Sequence, residues 1–390
     1  MSRLPQPIEK KKARAVIGGD ICPINANEPL CVRGDAEKVF SDLLKTMLCA
    51  DICVVNLESP LIERPSPIKK SGPVIGARKE TVKLLPAAGI HAVSLANNHI
   101  MDHGPTGFLS TISALEANGV NYFGAGPDLD SAQKILVREV NGLRVGLLGV
   151  TQHEFSVAGR TTPGAAPMDP VEVHGQVRRQ EDGWDVLLAL VHAGPEHYPL
   201  PTPKLQKYCR FLVDIGASAV FCQHSHCAGA YEKYNDALIV YGQGNLLFDW
   251  PSKPPRWFEG FLVDLELTVQ GVSSVNLVLY ERGEFGIGVR PMERIRNAEI
   301  IRDIEERCHS IEDPSFVENT WIDYCSNQSN VYYQMMLGGH LPIKVVRKLF
   351  DGFGRKMVPL GKRHRLTLLN LLRCESHRDV LESLLSGEFY

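Results

Sequence analysis

The sequence predicts an α/β fold from three observations. Short apolar, β-branched runs recur along the chain. Amphipathic helical patterns lie between several of them, the alternation that builds α/β sheets. The runs also end in polar clusters, where open α/β sheets place their ligands.

In chain order the apolar runs are 15–17, 52–55, 92–95, 145–150, 186–191, 219–221 and 238–241. Such short continuous runs suit strands buried on both faces. Between the first two, Val39, Phe40, Leu43, Leu44, Met47 and Leu48 recur at helical spacing. Phe108, Ile112 and Leu115 do the same after the third, and Asn118-Gly119 is a C-cap signal. Connections of this kind are right-handed crossovers. The stretch 260–281 reads as strand–turn–strand, a sheet edge or return hairpin, after an irregular surface loop at 251–255. From about residue 290 the chain turns to charged, amphipathic helical segments. No internal repeat or low-complexity tract is visible.

Composition narrows the classes. A chain of 390 residues buries one large core or two ordinary ones. With 44% hydrophobic residues and a net charge of −3, it reads as a soluble globular protein. It is neither disordered nor basic overall, so no nucleic-acid partner is expected. No apolar run approaches the roughly 20 residues of a membrane span. The basic start has only a few apolar residues before Asp20, too few for a signal-peptide core. Ten cysteines without framework spacing suggest free thiols in a reducing compartment, so a cytoplasmic location is expected.

The residues just beyond each strand point to chemistry. After Ile17 comes Gly18-Gly19-Asp20, after Val55 Asn56-Leu57-Glu58, and after Leu95 Asn97-Asn98-His99. His192-Ala193-Gly194-Pro195-Glu196, Gln223-His224-Ser225-His226 and Gly242-Gln243-Gly244-Asn245 follow the later strands. One such cluster alone reads as turn or cap chemistry. Six of them, all at strand ends, predict one shared site. Asp, Glu, Asn and three His form an oxygen/nitrogen donor set that suits Mn, Zn or Fe. The set exceeds the needs of one tetrahedral ion. Two ions sharing a carboxylate, about 3.5–4 Å apart, would account for it. Cys222 and Cys227 flank the histidine pair and raise a zinc-finger alternative. Cys222 falls within an apolar run and Cys227 adjoins His226, which makes joint chelation awkward.

In order, Gly19-Asp20, Asn56-Leu57-Glu58-Ser59-Pro60-Leu61, Ala96-Asn97-Asn98-His99, His192-x-Gly-x-Glu196, His224-x-His226 and Gly244-Asn245-Leu246-Leu247-Phe248-Asp249 resemble the CapA family. That family is associated with capsule and poly-γ-glutamate synthesis, and it is similar in fold to the calcineurin-like metallophosphoesterases. The resemblance runs from about residue 14 to about residue 250. It implies a sandwich of mixed β-sheets flanked by helices, with a helical C-terminal extension. The implied division is a flexible arm at 1–12, a CapA-type domain at 13–285 and an extension at 286–390. The resemblance also implies roles. Asp20 and His226 would hold one ion, Asn98, His192 and His224 a second, with Glu58 bridging. His99 would be the general acid or transition-state donor. Glu196 and Asn245 would face substrate or support the ligands, and Asn97 would shape the turn. Two departures from the metallophosphoesterase pattern weigh against ordinary phosphomonoesterase activity. Asp20-Ile21-Cys22 stands where those enzymes carry Asp-x-His, and Glu58 replaces the usual aspartate. Cys22 reads as a small buried residue rather than a soft ligand.

Other residues carry less. His91 reads as a solvated junction, and Asp102 and His103 either fix a turn or line the pocket. His153 follows a strand and could face the site. Gly124-Ala125-Gly126 has no nucleotide-binding fingerprint after it. No Gly-x-Ser-x-Gly elbow or phosphate-cradling loop is present. Lys344, Arg347, Lys348, Arg355, Lys356, Lys362, Arg363 and Arg365 form either a solvated helical face or a capture surface for an anionic substrate. Leu366, Leu369, Leu372, Val380, Leu381 and Leu384 suggest a helical pair packing on the core, on a second copy or on a biosynthetic partner. Three functions are expected to compete. The first is a metal-dependent hydrolase or transferase acting on an anionic polymer, peptide or phosphorylated small molecule. The second is a metal-assisted epimerase or isomerase, and the third a non-catalytic component of a polymer-synthesis assembly.

Overall fold

A computed structural model describes residues 11–250, 256–257, 259–283, 287–336 and 362–385. Two sheets form its centre. In the first, the strands run Val289–Pro291, Gly271–Arg282, Gly260–Thr268, Lys12–Cys22, Ile52–Leu57, Ala92–Ser94 and Asn121–Phe123, with Asn245–Phe248 paired to Lys12–Cys22. In the second they run Tyr231–Tyr234, Ala237–Val240, Ala219–Gln223, Val186–His192, Leu143–Thr151 and Leu136–Val140. The two sheets share one apolar layer, in which Ile17, Val54 and Val263 meet Leu147, Leu188 and Phe221. Alternate residues face outward: Val16 and Val55 pack with Phe40, Met47 and Phe108 of the outer helices. On the other side Val191, Val220 and Ile239 pack with Leu205, Cys209 and Leu212. The result is the helix-flanked sandwich of mixed sheets expected from the sequence.

Two elements differ from expectation. The first strand does not stop at Ile17 but runs on to Cys22. Lys12–Ile17 pair antiparallel with Gly260–Thr268. Past a register shift, Asp20–Cys22 pair in parallel with Asn245–Phe248. Glycines make this exchange of partners feasible: a Cβ on Gly19 would lie 2.0 Å from the Gly244 carbonyl oxygen. Asp20 therefore sits at an irregularity inside a strand, a position that aims side chains. The helix expected through Val39–Leu48 positions is broken into Ala36–Phe40 and Leu43–Leu48, because Ser41 adopts φ 47°.

The C-terminal elements pack on the sandwich. Val289–Pro291 extends the first sheet beyond residue 285. Helix Arg294–Ser310 inserts Ile300 and Ile304 into the central layer. Helix Pro314–Met336 and the pair Lys362–Arg373 and Glu375–Leu385 cover the second sheet's outer face with Val317, Trp321, Leu371, Val380 and Leu384. Arg363 and Arg365 are exposed. The expected loop at 251–255 and the basic residues Lys344, Arg347, Lys348, Arg355 and Lys356 lie outside the described residues. Among the described residues no helix is long and apolar enough to cross a membrane.

Candidate metal centre

The strand ends of both sheets meet over one buried polar cluster. The first sheet supplies Asp20, Asn56 and Glu58, with Asn97, Asn98 and His99 following the strand Ala92–Ser94. The second supplies His192 at its strand terminus, and His224 and His226 just past Gln223. All of these side chains are buried. His224 and His226 have φ of 87° and 55°, a conformation non-glycine residues rarely adopt. The His224 N–H donates to Asp20 Oδ2 at 3.2 Å, which helps hold that strained turn against the first sheet.

Glu58 is the centre of the arrangement. Its Oε1 lies 3.5 Å from His192 Nε2 and 3.8 Å from His226 Nε2. Two groups of donor atoms are mutually within 4.8 Å: Asp20, Glu58 and His192, and Glu58, His224 and His226. Glu58 belongs to both. Grouping by proximity thus joins Asp20 to His192, whereas the resemblance joins it to His226. Asp20 in fact touches both, with His226 Nδ1 at 3.4 Å from Oδ2 and His192 Nδ1 at 4.0 Å from Oδ1. Asn98 Oδ1 lies 3.0 Å from His192 Nε2. His226 Nδ1 is 2.9 Å from Asn245 Oδ1.

The polar accounting tests whether these residues suit a cation. Both Glu58 carboxylate oxygens and His224 Nδ1 are buried without a hydrogen-bond partner among the described residues. An unpaired buried carboxylate is among the costliest groups a core can hold, unless a cation satisfies it. Burial, and then the Asp20 carboxylate, push the Glu58 carboxyl well above its ordinary range. A bound dication would reverse that preference. Burial also lowers His192 to about 3 and His224 well below the usual imidazole value. Both rings are therefore neutral, the form that ligates metals. His226 is drawn down by burial, but its hydrogen bond to Asp20 prevails and raises it. The donor set and its unsatisfied atoms fit a divalent ion.

His99 lies beside this cluster in a network of its own. Its Nδ1 is 2.6 Å from Asp102 Oδ2, and its N–H donates to Asn97 Oδ1 at 3.1 Å. Asp102 also accepts the Ile75 N–H at 2.7 Å and pairs with the buried Lys70 ammonium. Lys70 Nζ is 3.3 Å from His99 Nδ1. Burial and the Lys70 charge lower the His99 pKa against the opposing pull of Asp102. That lowering favours the neutral ring, and the Asp102 carboxylate at 2.6 Å favours the tautomer that carries its proton on Nδ1 and leaves Nε2 as an acceptor. Asn97 Nδ2 donates to the Leu57 carbonyl at 2.8 Å, tying the turn to the neighbouring strand.

The remaining expected residues lie farther out. Glu196 is 56% exposed and 3.8 Å from His197 Nε2, at the rim rather than among the ligand groups. His103 is structural, its Nδ1 accepting the Ser66 N–H at 2.8 Å. His91 likewise accepts the Cys53 N–H at 3.0 Å. His153 turns to Glu375. Cys22 is buried, its thiol pushed well above the ordinary value by burial. Cys222 lies 3.4 Å from Cys209, and all ten cysteines are free. Sequence patterning misses Lys70 and Gln152. Lys70 lies in an irregular proline-containing stretch with no periodicity. Gln152-His153-Glu154 is a further polar cluster after a strand, so the strand-end rule could have found it.

A two-sheet α/β sandwich with a histidine–carboxylate centre at its strand ends is the class that fold and site define. The family model for the bacterial capsule synthesis protein PGA_cap matches residues 14–250, and the chain belongs to that family. It is 28% identical over 281 residues to the capsule biosynthesis protein CapA of Bacillus anthracis, covering 69% of this chain and 67% of that protein. It is 27% identical over 235 residues to the PGA biosynthesis protein CapA of Bacillus subtilis, covering 59% and 62%. The chain thus spans about two thirds of the length of these relatives. Among solved structures, the 5'-nucleotidase precursor of Thermus thermophilus is similar at a TM-score of 0.43 and 14% identity, covering 76% of this chain and 58% of that one.

Proposed function

We propose that the protein is a metal-dependent hydrolase or transferase. Its target is an acyl, peptide or phosphate bond in an anionic polymer, peptide or phosphorylated precursor of capsule or poly-γ-glutamate synthesis. One observation carries the reading: Glu58 is fully buried, has no hydrogen-bond partner among the described residues for either oxygen and is shared by two groups of atoms that could hold a metal ion. Membership of a capsule-synthesis family supports the polymer context. Ten free cysteines support action in a reducing compartment, and we place it in the cytoplasm.

Asp20, Glu58, Asn98, His192, His224 and His226 would hold two divalent ions, with Mn, Zn and Fe suited to the donors. Bound there, the ions would supply Lewis acidity and a nucleophile at neutral pH. His99 handles the proton. With its Nδ1–H donated to Asp102, its free Nε2 takes a proton from the attacking water or hydroxyl and later returns it to the leaving group. Asp102 keeps the ring in that tautomer, and Lys70 offsets the Asp102 charge. Glu196, at the rim, orients substrate.

The same neutral, Asp102-backed His99 also suits proton abstraction next to a carbonyl, so epimerisation is the second reading. Incubating manganese-loaded protein with poly-γ-glutamate and γ-glutamyl peptides in deuterium oxide enriched in heavy oxygen tests both, the solvent hydrogen then being read as deuterium. Hydrolysis predicts one heavy oxygen in a released carboxylate, lost in Glu58→Gln. Solvent hydrogen at the α-carbon without heavy oxygen would establish the second reading instead, and neither label on any polymer or peptide would count against both.

A further inference from the structure

The family match ends at residue 250, yet two later helices come to the edge of the centre. At the start of helix Glu375–Leu385 the Ser376 hydroxyl donates to Gln152 Oε1 at 2.6 Å, and Glu375 Oε2 accepts the His153 N–H at 3.0 Å. These bonds seat the helix on the end of strand Leu143–Thr151, whose Thr151 pairs with His192. Helix Pro314–Met336 brings the Tyr324 ring 4.6 Å from that of Tyr198, just past the His192 strand end. Between the two helices, the Tyr332 hydroxyl lies 2.7 Å from His377 Nδ1, with the rings edge to face at 5.5 Å. Tyr332 is buried. Among the described residues its hydroxyl has no other partner, and His377 Nε2 has none. A buried hydroxyl proton without an acceptor is costly, so a neutral His377 accepts the phenol O–H at Nδ1 and carries its own proton on Nε2. A charged ring carries one there as well, so Nε2 is a donor in either state. The Glu196 carboxylate is within electrostatic reach of Glu58, His99 and His226, and also of Tyr332 and His377. His377 is in turn within reach of His224.

We propose that His377 is a specificity-determining residue at the mouth of the centre, its Nε2–H donating to an anionic oxygen of the substrate, with Tyr332 as the positioning residue that holds the ring. Carboxylate and phosphoryl oxygens present the same charged acceptor to such a donor. The proposal rests on the reading above in taking the buried centre as the place where substrate reacts. It adds that the helices beyond the family match supply part of the substrate contact.

The test is calorimetric titration of the full-length, manganese-treated protein with γ-glutamylglutamate, a carboxylate probe, and with inorganic phosphate. At least one is expected to bind, and the one that does identifies the oxygen. His377→Ala is expected to weaken that binding about 10–100-fold, the usual worth of a hydrogen bond to a charged group. Tyr332→Phe, which leaves the ring unheld, is expected to weaken it about 2–10-fold. His377→Gln keeps an amide donor near the Nε2 position and is expected to retain most of the affinity. Lys204→Ala removes the exposed contacts to Asp379 and Glu382 on the same helix and is expected to leave probe binding intact. Metal content by elemental analysis should be the same in every variant. Unchanged probe affinity in both His377→Ala and Tyr332→Phe overturns the contact. Equal weakening in His377→Gln or in Lys204→Ala overturns it too, since packing or helix docking would then account for the effect. So does loss of metal alongside affinity, or binding of neither probe by the unmodified protein. A metal-free protein that still binds a probe through His377 would overturn the metal reading alone.

Discussion

His99 and Asn98 are neighbours in sequence, but their side chains face different partners. Asn98 Oδ1 approaches His192, whereas His99 turns to Asp102 and Lys70. Their substitutions should therefore fail differently. Asn98→Ala is expected to lower metal affinity and activity together. His99→Gln should keep its metal while turnover falls by roughly 10²–10⁴-fold, the usual worth of general acid–base help. Metal analysis alongside a rate assay checks both, and loss of metal from His99→Gln would make His99 a ligand. Lys70 is the residue on which the dyad's charge balance depends. Lys70→Ala leaves Asp102 buried with an uncompensated charge, a change expected to cost about 3–5 kcal/mol of stability in urea unfolding. Burial opposes ionisation of Asp102, but His99 and Lys70 hold its pKa below the ordinary carboxylate value. Its contribution is therefore present above the unfolded value of 3.8 and lost as pH falls through the lower folded value. The polar residues that gather in the cluster were legible in the sequence because each follows an apolar run. Lys70 was not, since a buried ammonium in an irregular segment has no pattern to betray it.

Among the elements, the first strand shows where pattern reading stops. Its apolar run ends at Ile17, but pairing continues to Cys22 because Asn245–Phe248 takes over from Gly260–Thr268. An exchange of partners depends on residues more than 200 positions away, which periodicity cannot reveal. Gly18-Gly19 was the only local sign. Gly19→Ala would press a methyl group onto the Gly244 carbonyl, and overpacking of this kind costs about 1–3 kcal/mol. A lowered unfolding midpoint together with weaker metal binding is expected, since Asp20 is the next residue. The C-terminal helix has its own pH signature. The Glu375 hydrogen bond raises the His153 pKa above 6.5. Burial opposes Glu375 ionisation, but His153 holds it below 4.5. The His153 contribution is complete below its unfolded pKa and fades as pH rises through the raised folded value. The Glu375 contribution is present above its unfolded pKa and fades as pH falls through the lowered one. Hydrogen exchange across 375–385 should therefore be slowest between these limits and faster on either side. Protection that does not change with pH would remove the ion pair as a determinant of docking.

At the scale of the whole molecule, both sheets and the helical layers outside them serve one end of the sandwich. Alternating burial in each strand divides side chains between the shared central layer and the outer helices. That division was readable from the apolar runs, and the site from the polar residues beyond them. The partnership of the C-terminal helices with the strand end at Gln152 was not, because it depends on tertiary docking. The central claim is that one buried carboxylate joins two metal sites. Elemental analysis after saturation with Mn or Zn and gel filtration tests it most directly. Two equivalents per chain are predicted for the unmodified protein, and preferential loss of one of them in Glu58→Gln, whose neutral amide cannot offset two dications. One equivalent in the unmodified protein, or two retained in Glu58→Gln, would contradict it.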